Sequence, residues 1–71
     1  MTEKPDINFI ILEGGIVVEN AFNEAFPEIK GNKLTHAVNA LRSYGWRETD
    51  EMIDPITKSG WVAFSKNPIP H

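Results

Sequence analysis

The chain has 71 residues, of which 41% are hydrophobic and 24% charged, with a formal net charge of -3 and no cysteine. A chain of this length makes one domain that buries only about 60% of its unfolded surface, and its composition excludes intrinsic disorder. Without cysteine, neither a disulfide framework nor a thiolate metal site can reinforce the small core, and a reducing compartment is favoured.

Charge is unevenly placed along the chain. Residues 1–28 hold Glu3, Asp6, Glu13, Glu19, Glu24 and Glu28 against a lone base, Lys4. Residues 29–71 set Lys30, Lys33, Arg42, Arg47, Lys58 and Lys66 against Glu48, Asp50, Glu51 and Asp54. Such asymmetry can steer a partner or self-association.

In chain order, residues 1–6 (MTEKPD) hold a proline and no periodic apolar pattern, which predicts a loose arm. They are acidic and polar where a secretory signal is basic and then apolar, and the runs FIIL and IVV are far too short to span a bilayer. The expectation is a soluble cytoplasmic protein with no membrane contact. INFIILE and IVVENAF are rich in β-branched and aromatic residues, and Gly14-Gly15 between them supplies the positive φ angles of a two-residue type I′ turn. Glu13 then faces Ile16, Leu12 faces Val17, Ile11 faces Val18, Phe9 faces Asn20 and Ile7 faces Phe22. The period of two gathers Ile7, Phe9, Ile11, Ile16, Val18 and Phe22 on the side expected to pack on a helix. Asn8, Ile10, Leu12, Val17, Glu19 and Ala21 form a mixed side with an apolar cluster near the turn.

NEAFPEIKGN (23–32) reads as a connecting loop because Pro27 disfavours both helix at Phe26 and a central strand nearby, and Phe26 and Ile29 are expected to tuck under the helix entrance. Lys33 to Trp46 carries the plainest helical pattern. Asn32, or Gly31, is the expected N-cap, Leu34, Ala37, Val38, Leu41 and Tyr44 make the apolar stripe, and Gly45 suits the left-handed position that ends the helix. WRETDEMI alternates Trp46, Glu48, Asp50 and Met52 against Arg47, Thr49, Glu51 and Ile53, as an exposed strand does. DPITKSG is a turn, and WVAFSK is a last strand with Trp61, Ala63 and Ser65 on one side and Val62, Phe64 and Lys66 on the other. NPIPH (67–71) is expected to fray.

The run from Leu34 to Pro68 resembles a small bacterial domain family of unknown function, in which a short helix ending in Gly-Trp is followed by strand, turn and strand. Leu34, Leu41, Gly45, Trp46, Val62, Phe64 and Lys66 carry the resemblance. That family usually begins with one aromatic strand where this chain has the Gly-Gly hairpin. The resemblance implies a helix-strand-strand unit and transfers no catalytic residue.

No motif in the chain specifies chemistry. His36 lies on the polar side of the helix with Asn39, Arg42 and Ser43, and neither it nor His71 has a partner at metal-ligand spacing. Glu48, Asp50, Glu51 and Asp54 form the densest acidic run, but without EF-hand spacing. Ser43, Ser59 and Ser65 lack a nucleophile-elbow context, and Gly14-Gly15 belongs to neither GxGxxG nor GxxxxGK[ST]. No enzyme, metal site or cofactor is expected. Trp46, Trp61, Phe64 and Tyr44 near Arg42, Arg47, Lys58 and Lys66 make nucleic-acid binding the alternative, opposed by the net negative charge.

These elements predict an α+β fold, a four-stranded antiparallel sheet with one helix on one face, in the order ββαββ and within a single domain, 1–71. One helix leaves the other face to water, and that face is expected to show Ile10, Leu12 and Val17 with Trp61. The functional expectation is a small non-enzymatic protein-interaction module, an accessory protein of a bacterium or phage that blocks a larger machine by binding it. A homodimer across the open face or along a strand edge fits the same reading. Glu13, Glu19 and Glu24 of the acidic half are the first charged residues expected to meet a partner.

Overall fold

The computed structural model describes residues 7–66; the two expected arms, 1–6 and 67–71, lie outside the described residues. The fold is α+β, with one four-stranded antiparallel sheet and one α-helix. Strand β1 spans Ile7–Glu13, β2 Ile16–Asn20, helix α1 Leu34–Ser43, β3 Arg47–Ile53 and β4 Gly60–Ser65. A short 3-10 helix, Pro27–Ile29, is added to the expected order before α1. In space the strands run β2-β1-β4-β3, so the first and last strands pair at the centre of the sheet.

The Gly14-Gly15 turn forms as the dipeptide predicts, with φ of 62° and 83°. Near it the expected register holds, Glu13 opposite Ile16 and Leu12 opposite Val17. Beyond it the register shifts, so that Ile11 stands opposite Glu19 and Ile10 opposite Asn20. Val18 is the extra residue of a β-bulge, which bends the strand and reverses the facing of the residues after it. A second bulge sits in β3, where Glu48 opposes Phe64 but Asp50 opposes Ala63, leaving Thr49 over. Strict alternation along both outer strands is therefore broken.

These bulges correct the expected facing of the sheet. Ile10 and Val17 are 0% exposed and Leu12 is 3% exposed, all within the core, whereas they were expected on the open face. Ile7, Phe9 and Ile11 face away from the helix instead of toward it. The physical cause is Phe22. The bulge brings it to the Ile10 side, where its ring meets Trp46 at 4.6 Å and 84°, Phe26 at 5.7 Å and 73°, and Phe64 at 6.3 Å and 74°. Edge-to-face aromatic contacts of this kind add to the area they bury, and the core forms around them.

Asn20 ends β2. Its Oδ1 accepts the Phe22 N–H at 3.0 Å, an Asx-type turn that swings the chain inward. Phe26 and Ile29 enter the core as expected, together with Ala37, Val38 and Leu41 of α1. Tyr44, assigned to the apolar stripe, is largely exposed, although its ring leans on Phe26 at 5.1 Å.

The helix start also differs from expectation. Asn32 does not cap it; its side-chain amide donates to the Glu28 carbonyl at 2.7 Å, and Lys33 occupies the cap without a side-chain bond. The first free amide, Leu34 N–H, donates instead to the carbonyl of Gly15 at 3.0 Å, so the hairpin turn satisfies the helix. At the other end Gly45, at φ 93°, donates to the Arg42 carbonyl at 3.0 Å and Trp46 N–H to the Leu41 carbonyl at 3.0 Å. This is the Schellman pattern, with buried Leu41 and Trp46 as its hydrophobic pair.

An uncovered sheet face as the candidate interaction surface

The side of the sheet away from α1 is built by register. Ile11 stands opposite Trp61 and Trp61 opposite Met52; Phe9 stands opposite Ala63 and Ala63 opposite Asp50; Ile7 stands opposite Ser65 and Ser65 opposite Arg47. Directly opposed residues share a face, so these rows form one surface, joined on β2 by Glu19 beside Ile11 and by Ile16 beside Glu13. Ile7 is 52% exposed, Phe9 46% and Met52 66%. Ile11, Trp61 and Ala63 are half-buried by their neighbours.

Small Ala63 stands opposite Phe9 on the same side of β4 as Trp61, and a shallow hollow of about 320 Å³ opens there, lined by Phe9, Trp61 and Ala63. The lining carries no nucleophilic or ionisable side chain. A wider hollow of about 570 Å³ continues past Trp61 and Met52 to Pro55 and Ile56 in the β3-β4 turn. That turn is held by Asp54, whose Oδ1 accepts the amides of Ile56 at 2.7 Å and Thr57 at 3.3 Å, which leaves the Ile56 side chain exposed.

Trp61 is thus on the uncovered face as expected, but Ile10, Leu12 and Val17 are not beside it. The residues that join it are Ala63, which shares its side of β4 as expected, Met52, and Ile7, Phe9 and Ile11, which alternation alone assigned to the helix side. Glu13 and Glu19 share this face by register, whereas Glu24 does not. It lines a separate hollow of about 310 Å³ with Asn23, Ala25, Phe22 and Trp46. Near that hollow the indole N–H of Trp46 and the amide nitrogen of Asn20 are buried without a hydrogen-bond partner.

Among the described residues, strand register places on the open face carboxylates at Glu13, Glu19 and Asp50 and a guanidinium, Arg47, at a corner. On the helix side Glu48 is paired with Arg42 at 2.6 Å. The acidic run of β3 is therefore divided between the two faces and the turn, and among the described residues no group of three His, Cys, Asp or Glu side chains gathers that would hold a metal. The aromatic and basic set considered for nucleic acid is dispersed as well. Trp46 and Phe64 are core, Lys66 lies over the Trp46 ring at 5.4 Å, and Tyr44 is at the helix end.

The two sheet edges differ from the face between them. β2 is covered by the chain before α1: Val17 N–H donates to the Asn32 carbonyl at 2.9 Å and Gly31 N–H to the Val17 carbonyl at 2.7 Å. β3 is an outer strand bearing Glu48, Asp50 and Glu51 and interrupted by its bulge, devices that discourage another strand from adding. Among the described residues no helix is long and apolar enough to cross a membrane. Comparison with family models, with curated proteins and with solved structures finds no match.

Proposed function

We propose that this protein is a small non-enzymatic protein-interaction module that docks a partner protein on the uncovered face of its sheet. The observation that carries the reading is that a domain with few large apolar residues places Ile7, Phe9, Ile11, Trp61 and Met52 on one continuous surface outside its core. An apolar surface rimmed by charge is the usual form of a protein-binding site. The expected role of a bacterial or phage accessory protein that inhibits a larger assembly is compatible with it. Nucleic-acid binding has less support, since the exposed face is acidic at its margins and two of the four aromatics proposed for stacking lie in the core.

The test compares capture of host proteins by the immobilised wild-type chain with capture by Phe9→Ser, by Ala63→Arg and by Tyr44→Ser, which lies at the end of the helix. A partner retained by wild type and Tyr44→Ser but lost by both face variants supports the reading. A partner retained equally by all four places the interaction elsewhere.

A further inference from the structure

Resting on that reading, we infer that the occupant of the uncovered face is a basic amphipathic helix of the partner protein, lying along β1 and β4. Its apolar side chains seat on Phe9, Trp61 and Ala63, and its lysine or arginine side chains reach Glu19 on one flank and Asp50 on the other.

Width is the first ground. Ile7, Phe9, Ile11, Trp61 and Ala63 lie on the two central strands, and Glu19 and Asp50 flank them on the two outer ones, where Ile16 and Met52 extend the apolar strip toward the turns. Strands are spaced about 4.8 Å apart, so about 14 Å separates β2 from β3, and an α-helix with its side chains is about 10–12 Å across. A helix therefore fills the apolar strip and brings its flanking residues over the acids. Length agrees as well. β1, Ile7–Glu13, is seven residues, about 23 Å at the usual strand rise, which a helix of about 15 residues matches. The hollow over Ala63 lies midway along this track and accepts one large side chain.

Charge selects among occupants. Among the described strand residues Glu13, Glu19 and Asp50 outnumber Arg47 on this face, so complementarity calls for a basic rim. A second copy of this chain would set carboxylates near carboxylates and join two molecules of net charge -3. An added strand is discouraged by the covered edge of β2 and by the bulge and charges of β3. A helix needs neither edge, and it would complete a three-layer arrangement by burying the second face as α1 buries the first.

The test is a titration with two labelled synthetic helical peptides of about 15 residues, identical on a leucine face and differing in lysine or glutamate at the flanking positions. Wild type is expected to bind the lysine peptide at least about tenfold more tightly than its glutamate twin. In the double variant Glu19→Gln/Asp50→Asn, which keeps an acceptor oxygen at residue 50 for the Glu51 amide bonded there at 2.8 Å, that preference should collapse. Phe9→Ser should weaken the lysine peptide while leaving the circular dichroism unchanged. Equal binding of the two peptides, or none, overturns the inference. So does a reversible dimer in sedimentation that Phe9→Ser abolishes, which would make a second copy the occupant. Face-dependent capture of a host protein alongside failed peptide preference would sink the helix alone, whereas face-independent capture would sink the docking reading itself.

Discussion

On the helix side of the sheet, Ile10, Leu12, Val17, Val62 and Phe64 are sealed from water, while on the other side Ile7, Phe9 and Met52 are about half or more exposed. Both sides carry enough apolar residues to serve as a core. What separates them is the aromatic cluster: the bulge at Val18 delivers Phe22 to the Ile10 side, and Trp46 and Phe64 converge on it there. In a two-layer domain, apolar content alone does not identify the buried face. The segment that continues from the strand decides.

The largest expected effect comes from a change that destroys both faces together. Gly60 opens β4 between Leu12 and Ile53, at φ 153°, and a Cβ placed there would collide with the Met52 carbonyl oxygen and stand 2.8 Å from the Ile53 Cα. Because those atoms are backbone, the β3-β4 pairing must open. Gly60→Ala should cost about 4 kcal/mol or prevent folding, measured by urea denaturation. A near-normal midpoint would mean that this strand junction adapts.

Phe22→Ala ranks next, since it removes the ring that sets the two faces apart, the one that meets Trp46, Phe26 and Phe64. The expected loss is about 3 kcal/mol, visible as a lowered midpoint and a weakened near-ultraviolet aromatic signal. A variant as stable as wild type would show that the aromatic cluster does not choose the core side. Arg42→Ala should matter least. Its bond to Glu48 joins α1 to β3 at an exposed position, and its removal should change stability by at most about 0.5 kcal/mol. A loss several times larger would mean that the helix side has an electrostatic anchor as well as an apolar one.

Much of the fold is readable in the sequence because local rules act there without competition. Gly14-Gly15 makes its turn, Gly45 ends its helix, and the alternation of β4 places Trp61 and Ala63 opposite to Val62 and Phe64. The two outer strands resist reading for one reason. A bulge leaves no residue signature at Val18 or Thr49, yet each reverses the parity of the strand beyond it. Parity errors spread to the candidate surface. Trp61 is legible because β4 has no bulge, whereas Ile10, Leu12 and Val17 are not, because choosing the core face requires knowing where Phe22 ends. Asn32 fails as a cap for a similar reason: the Gly15 carbonyl, far away in sequence, reaches Leu34 first.

The central claim is that one face of this sheet holds the fold together and the other is free to bind. Parallel urea denaturation of Phe64→Ala and Phe9→Ala tests it with one residue type at two places. Phe64→Ala should lose about 3–5 kcal/mol, and Phe9→Ala, half-exposed in the folded chain, no more than about 1 kcal/mol. Equal losses would contradict the claim, because they would make the uncovered face part of the core.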